Sequence, residues 1–448
     1  MRWLAALPVL LALAVAPAWG QAGGGRCLLQ ILNVDRQGAG NQPSPGVQNW
    51  YAGGNVRMRC VGQEVRMWSD SVASYSGQVV QFIGAVRYRD STIDMTADLG
   101  TYYRDSDRWE ARGNVVLTNR KNGAILRGPT LDYHREVPGV REISELFADI
   151  RPVITITAAD SIERPDDPYR IEGDRVRILG EDQVYVGGRV TIDRSDLAAR
   201  ADSLRLDTGL EGDGTLLGSA SVRQTAADSF DLRGRRIDLD LERREVTWVL
   251  AQGAATLEAT ELNLEADTIG IDLDARKVQQ VLAWGRESRP HARSADGFEV
   301  RGDSVAFDTP GQRLDEARAF GRAWMGAAPD SVTRDRDYVA GDTVTVTFRA
   351  GADSAGAPRS LLDRLEARGQ ALAFYRVAPP PGGDQRLAIV YTHASQILIT
   401  MKEAPDGSSA VDEVRRVGAV DGIHLQPAPI VTDPTRAARP RPPGGAGR

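Results

Sequence analysis

The chain has 448 residues, of which 42% are hydrophobic and 26% are charged, and its net charge is −6. This much apolar material can bury a continuous interior, which argues against a disordered polymer. The acidic balance argues against nucleic-acid binding through a basic stripe. The four histidines, at 134, 291, 393 and 424, lie too far apart in the sequence for metal-ligand or triad spacing. We therefore expect no cofactor, no metal site and no nucleic-acid partner.

Residues 1–20 have the layout of a secretory signal peptide. Arg2 precedes an apolar run from Leu4 to Ala16, and the small residues Ala18 and Gly20 offer a cleavage site. The run is short for a membrane span, although an uncleaved anchor stays open as an alternative. The sequence therefore predicts an exported protein.

The two cysteines follow this leader. Cys27 and Cys60 form an even pair, which in an oxidising compartment can make one disulfide between the N-terminal segment and the first strands. Two unrelated thiols are the alternative. A metal site would need more ligands than two cysteines supply.

Composition divides the rest of the chain. Residues 21–48 are rich in Gly, Gln and Pro and are predicted to be irregular, and residues 426–448 are predicted to be a disordered tail rich in Pro, Arg and Gly. Pro165 and Pro168 would end any strand, so we predict two β-regions, 49–165 and 166–425.

One local pattern recurs eleven times between Ser69 and Ala394. Apolar residues alternate up to a small residue, as at Leu262, Leu264 and Ala266, and then alternate again from a position three residues later, as at Ile269 and Ile271. Because side chains in a strand alternate between two faces, this shift would reverse the apolar face unless the backbone bulges or turns a corner. Polar turns between the corners favour hairpins. The sequence predicts an all-β protein built from about eleven hairpin-and-corner repeats.

Most corners carry Asp directly after the small residue. These residues are Asp70, Asp98, Asp160, Asp174, Asp202, Asp267, Asp303 and Asp342. A residue that recurs in every unit is best explained by capping of backbone donors at the bend. A nucleophile at Gly302-Asp303-Ser304 is disfavoured for the same reason, and one Asp in each long repeat is too few oxygens for a calcium ladder. No catalytic residue is predicted.

The apolar face of the repeats is the candidate binding surface. Its predicted members are Leu204, Leu206, Ile237, Leu239, Leu262, Leu264, Ile269, Ile271, Val305, Phe307, Val344 and Val346. Two curved sheets facing each other would line a hydrophobic channel with these side chains, or would close a dry core. Aromatic residues are only 6% of the chain, and an aliphatic lining favours acyl chains over sugars.

The corners, the hairpin turns and the steps Gly54-Asn55-Val56 and Gly113-Asn114-Val115 resemble the OstA-like domain of the lipopolysaccharide-transport family. The resemblance covers the chain from about Gly53 to Val420. It implies an elongated, twisted, V-shaped β-jelly roll whose interior carries the acyl chains of lipopolysaccharide, in domains that stack edge to edge across the periplasm. The chain is longer than the soluble bridge protein of that family and lacks the sequence features of a membrane barrel.

The resemblance implies a non-enzymatic periplasmic protein that carries lipopolysaccharide or a similar lipid toward the outer membrane, with outer-membrane association left open. Its partners would be other jelly-roll proteins of the family, joined by pairing of edge strands, with head-to-tail self-association as a further option. Two alternatives stay open. A structural or adhesive β-solenoid would have parallel coils, and a polysaccharide-active β-helix enzyme would have acidic residues clustered in one cleft.

Overall fold

The computed structural model describes residues 27–40, 42, 44–45, 47–157, 167–225, 229–295, 297–310, 313–327, 335–352, 358–377, 387–403 and 409–427. The predicted signal peptide, the corner residue Asp160 and nearly all of the predicted tail lie outside these residues. No helix in the described ranges is both long enough and apolar enough to cross a membrane.

The described residues form an all-β structure, which confirms the predicted class. The strands are β1 (Leu29–Asn33), β2 (Arg36–Ala39), β3 (Trp50–Cys60), β4 (Arg66–Tyr75), β5 (Val79–Arg89), β6 (Ile93–Tyr103), β7 (Arg108–Asn119), β8 (Ile125–His134), β9 (Glu145–Asp149), β10 (Val153–Ile156), β11 (Tyr169–Glu172), β12 (Arg175–Leu179), β13 (Gln183–Arg194), β14 (Leu197–Asp207), β15 (Glu211–Gln224), β16 (Phe230–Glu242), β17 (Glu245–Ala259), β18 (Leu262–Asp274), β19 (Lys277–Trp284), β20 (His291–Ser294), β21 (Glu299–Arg301), β22 (Ser304–Asp308), β23 (Glu316–Gly326), β24 (Tyr338–Ala352), β25 (Pro358–Val377), β26 (Ala388–Glu403), β27 (Ser409–Val417) and β28 (Asp421–Leu425).

The strands pair mostly with their neighbours in the chain. All of the described ladders are antiparallel, as in the hairpins β14–β15, β16–β17 and β25–β26. The parallel coils that a β-solenoid requires are therefore not found among these ladders.

The chain divides into two compact units. The first comprises residues 1–154 with 175–183, and the second comprises residues 155–174 with 184–448. Strand β12, for example, belongs to the first unit, where it pairs with β9. Each unit is thus discontinuous in sequence, whereas the predicted regions met at a single point between residues 165 and 166.

The strands bend at the positions where the apolar pattern shifts. In β6 and β7, Thr96 pairs with Val116 and Leu99 pairs with Arg112, so one strand carries an extra residue at the bend. Gly113, in that bulge, has a φ of 76°, a left-handed conformation that glycine adopts without a Cβ penalty. The bulge returns the apolar side chains to the interior on both sides of the corner.

Each described corner aspartate is packed against a glycine of the neighbouring strand. The pairs are Asp70–Gly84, Asp98–Gly113, Asp174–Gly188, Asp202–Gly218, Asp267–Gly285, Asp303–Gly321 and Asp342–Gly369, and a Cβ on any of these glycines would lie less than 3.0 Å from the Oδ2 atom of its aspartate. The two recurring sequence features, Asp in one strand and Gly in the next, therefore meet at one contact. No larger residue fits opposite the carboxylate.

The carboxylates of these aspartates bind different donors. Asp267 accepts hydrogen bonds from the backbone N–H groups of Arg286, Glu287 and Ser288, which is the capping role that the sequence predicts. At other corners the residue after the glycine is the donor: Asn114 binds Asp98 at 2.8 Å. The bend is thus held by polar contacts on the outside of the sheet as well as by its apolar interior.

The structure corrects the prediction of an irregular segment over residues 21–48. Strands β1 and β2 lie in this segment, and both pair with β3 on opposite sides of its bulge. Asp35 faces Gly54 as the other corner aspartates face their glycines. The sequence missed this corner because the strands around it are only five and four residues long. Cys27 and Cys60 form a disulfide beside β1.

Candidate functional site

The corners divide the sheet of the second unit into two arms that face each other. The first arm contains the half-strands 190–201, 220–224, 230–234, 255–259 and 262–266, and the second arm contains 203–207, 211–217, 236–242, 245–252 and 268–274. The inner residues of both arms are buried, as at Leu257 in the first arm and Val249 in the second. The turns between strands lie at the arm tips, opposite the corners.

The twelve candidate lipid-facing residues are all buried in this interior. Five of them line cavities between the arms: Leu206, Leu239, Leu262, Ile271 and Phe307. The interior is therefore densely packed near the corners and contains free volume toward the arm tips.

Three cavities with largely apolar linings lie between the arms in the described part of the second unit. The proximal cavity, which is lined by Ile171, Ile192, Leu206, Leu239, Leu241 and other residues, has a volume of about 40 Å³. The middle cavity is lined by Phe230, Leu257, Leu262, Ile271, Val278, Phe307 and their neighbours, and its volume is about 390 Å³. Each of these linings combines side chains from both arms.

The third cavity was not predicted from the sequence. This distal cavity has a volume of about 450 Å³, and its lining includes Met325, Val339, Leu361, Leu365, Phe374, Ile399, Met401 and Val411. Most of these residues continue the alternating apolar pattern of β23 to β26, so this pattern could have predicted them as lining residues. The last of the predicted lipid-facing residues are Val344 and Val346, which are buried closer to the corner.

Polar groups lie at the mouths of the larger cavities. Arg313 lines the middle cavity and lies 3.9 Å from Asp315, and Arg376 lines the distal cavity and donates to Asp337 at 2.8 Å. Each of the two linings therefore carries both signs of charge, Arg313 with Glu261 and Arg376 with Asp337, beside a largely apolar interior.

A cluster of charged side chains joins the two arm tips over the proximal cavity. We call it the arm-tip latch; it consists of Asp167, Tyr169, Arg194 and Asp196 from the first arm, with Glu245 and Arg276 from the second. Arg194 binds Asp196 at 2.6 Å and Glu245 at 2.7 Å, and only 3% of its side chain is exposed. Its guanidinium also lies over the ring of Tyr169, 4.3 Å from the centroid.

These contacts stabilise the charged form of the arginine. Burial alone lowers the pKa of Arg194, but Tyr169 and the hydrogen bonds to Asp196 and Glu245 outweigh it and raise that pKa above its ordinary value. Burial raises the pKa of the Tyr169 hydroxyl, which stays protonated. The Arg194 guanidinium therefore keeps its positive charge beside the carboxyl groups of Asp196 and Glu245.

The interior of the first unit is filled differently. Trp109 is 1% exposed, and its ring centroid lies 5.0 Å from those of Phe82 and Tyr88. The hydroxyls of Tyr88 and Tyr133 both donate to buried Asp90 at 3.0 Å. Aromatic rings and a hydrogen-bonded polar network fill this interior, whereas the second unit contains the cavities described above, so the candidate site lies in the second unit.

Neither a catalytic constellation nor a metal centre is evident in the described parts of the chain. No group of three or more His, Cys, Asp or Glu side chains is arranged there to hold a metal ion. The corner aspartates are absent from the linings of the three cavities between the arms, whereas Asp267 and Asp303 line a separate, more open surface pocket. The arrangement between the arms can bind apolar groups and can shield them from water.

Comparisons with known proteins add little to this geometry. No protein-family model matches the chain, and no curated protein matches it. Among solved structures, it is similar to LptH from Pseudomonas aeruginosa, the LptA homologous periplasmic component of the lipopolysaccharide transport device. The identity is 16%, the match covers 36% of this chain and 81% of that one, and the TM-score is 0.20. A similarity with so low a TM-score supports no inference about this chain.

Proposed function

We propose that the second unit binds the acyl chains of lipopolysaccharide or a similar lipid between its two arms and shields them from water during transport through the periplasm. The observation that carries this proposal is the two larger cavities between the arms, of about 390 and 450 Å³, whose linings are mostly aliphatic and aromatic. These volumes fall in the range of about 300–1,000 Å³ that is typical of ligand pockets.

The driving force is hydrophobic burial. Each methylene group that leaves water contributes about 0.8 kcal/mol, so one acyl chain that reaches into the groove supplies a substantial binding energy. The head group remains at the mouth, near Arg313 or Arg376. Transport by this route breaks and forms no covalent bond, so the protein is proposed to be a carrier and not an enzyme.

We further propose that partners join the sheet at its C-terminal edge. Strands β27 and β28 both pair with β26, and several of their apolar side chains are exposed, including Val417 at 45% and Ile423 at 59%. An exposed edge of this kind can accept a strand from another jelly-roll protein or from a second copy. Lysine at Val417 and Ile423 should abolish such association, and association that survives both changes would refute the edge model.

The scaffold alternative makes a different prediction for the interior. A structural repeat protein would hold no lipid, and substitutions in the cavity lining would change only its stability. The test is the lipid that copurifies with the native exported protein, identified and quantified by mass spectrometry after gentle extraction.

The matched variants for this test are Leu262→Glu and Asn263→Glu. Leu262 lines the middle cavity, whereas Asn263 follows it on β18 and is exposed on the outer face. We expect Leu262→Glu, which places a charge in the cavity, to remove most of the bound lipid, and Asn263→Glu, on the outer face, to remove none. Circular dichroism should show that both variants remain folded. Equal lipid content in the two variants would contradict the proposal.

A further inference from the structure

The proximal cavity differs from the other two in being covered by the arm-tip latch. Tyr169 belongs both to the cavity lining and to the latch, and its hydroxyl lies 3.5 Å from a carboxylate oxygen of Glu245 on the other arm. A hydrogen bond from Nε2 of Gln224 to the carbonyl oxygen of Arg276, at 3.0 Å, also joins the two arms. The cavity beneath has a volume of only about 40 Å³, although nearly all of its lining is apolar.

We propose that the arm-tip latch is a gate that holds lipid out of the proximal cavity while it is closed and admits an acyl chain when it opens. This inference rests on the lipid-binding function proposed above. It assigns the middle and distal cavities as the first places where lipid binds, and it assigns the proximal cavity as a compartment that fills only after the arm tips separate.

The chemistry of the latch suits a gate better than a permanent seal. Two guanidinium groups, of Arg194 and Arg276, share three carboxylates, those of Asp167, Asp196 and Glu245. Charges that are paired in a partly buried site regain their hydration when the site opens, so separating them in water costs less than the closed contacts suggest. Separating two apolar surfaces brings no such compensation.

One movement would break every contact of the latch that crosses between the arms. Glu245 binds both arginines, with its two carboxylate oxygens 2.7 Å from Arg194 and 2.7 Å from Arg276. Glu245 begins β17, which carries Val246 of the proximal lining on the second arm. A displacement of this arm tip therefore breaks the ion pairs that cross between the arms, from Arg194 to Glu245 and from Arg276 to Asp167 and Asp196, and it widens the proximal cavity at the same time.

The test compares two positions that are equivalent in the repeat. Val246 lines the proximal cavity and Val278 lines the middle cavity; both are half-buried, and each follows a turn at the tip of the second arm. A photoreactive benzoylphenylalanine is placed at one or the other position in the full-length protein. Purified lipopolysaccharide is added, and the crosslinked lipid is measured by mass after irradiation.

With the latch intact, we expect crosslinking at position 246 to be at least ~10-fold weaker than at position 278. The variant Arg194→Met should raise crosslinking at 246 to within ~3-fold of that at 278, without changing the latter. The control is Arg205→Met, which breaks the exposed ion pair between Arg205 and Asp213 and should leave both signals unchanged.

Each remaining outcome is decisive. Equal crosslinking at 246 and 278 in the protein with an intact latch refutes the gate, even if Arg194→Met does not fold. A folded Arg194→Met variant that still excludes lipid from position 246 refutes it too. Crosslinking at neither position refutes the lipid-binding function itself, and the gate falls with it.

Discussion

A Cβ atom on Gly54 would lie 2.6 Å from the Oδ2 atom of Asp35, closer than any real Cβ contact allows. The same approach between a corner aspartate and a glycine recurs along both units of the chain. At each of these corners a backbone bulge lies beside the bend, and the bulge keeps the apolar side chains of both half-strands inside. The candidate groove of the second unit exists because these contacts fold one continuous sheet into two facing arms.

Replacing Gly54 by alanine should destabilise the first unit. Gly54 has a φ of 82° and no space for a methyl group, so we expect Gly54→Ala to cost about 1–3 kcal/mol. The neighbouring Gly53 has no atom within 4 Å of its would-be Cβ, so Gly53→Ala is the control and should be close to neutral. Denaturant unfolding measures both. Equal losses at the two positions would show that the contact with Asp35 does not matter.

Loss of the disulfide should weaken the N-terminal edge. Cys27 and Cys60 are separated by 33 residues, and closure of a loop of this length stabilises a folded protein by about 3–4 kcal/mol in the chain-entropy model. The unfolding free energy of the double variant Cys27→Ser/Cys60→Ser should be lower by that amount, and the variant should unfold at a lower denaturant concentration. The parent protein should show the same loss in reducing buffer, and the double variant should not respond to reductant. A parent protein whose unfolding midpoint ignores reductant would contradict this account.

Trp109 should contribute strongly to the stability of the first unit. Truncation to alanine empties the centre of the aromatic cluster and should cost about 3–5 kcal/mol. The buried indole Nε1 has no hydrogen-bond partner among the described residues, so Trp109→Phe removes an unsatisfied donor as well as volume and should cost less. The two unfolding free energies are compared directly. A phenylalanine variant as unstable as the alanine variant would argue against a filled, well-packed interior.

Acid should destabilise the second unit through Glu299. Burial raises the pKa of this carboxyl, but hydrogen bonds from His291, Arg336 and Arg301 outweigh it and lower the pKa from 4.5 to about 2. Because the folded-state pKa is the lower one, the stabilisation is complete above pH 4.5 and is lost as the pH falls toward 2. Unfolding free energies measured across this window should fall less steeply in Glu299→Gln than in the parent. Parallel curves would show that Glu299 is not responsible.

Much of this architecture can be predicted from the sequence because successive side chains of a strand point to opposite faces of the sheet. The shift after Ala266, for example, locates the bend in β18 to within a residue, and the buried positions on both sides of it follow. The corner at Asp35 could not be predicted because the short strands beside it contain too few alternating residues to reveal a shift of the apolar face. The alternation of apolar residues is the same whether the interior is filled with side chains or contains cavities. It therefore could not distinguish the aromatic core around Trp109 from the cavities of the second unit.

The latch residues were beyond prediction for a different reason. Arg194 and Glu245 are 51 residues apart, and each stands in an ordinary charged turn. Arg194 and Glu245 come within hydrogen-bond distance only because the two arms fold to face each other. Charged residues at strand ends are common in solvated hairpins, so nothing local distinguishes these two from their neighbours.

The measurement that tests the central claim most directly is photocrosslinking in living cells at two adjacent residues of β26. Met401 lines the distal cavity, whereas the side chain of Lys402 is 62% exposed. With benzoylphenylalanine at each position in turn, the account predicts a lipid adduct at residue 401 and none at residue 402. Adducts at neither position, or equally at both, would contradict the claim that lipid is held between the arms.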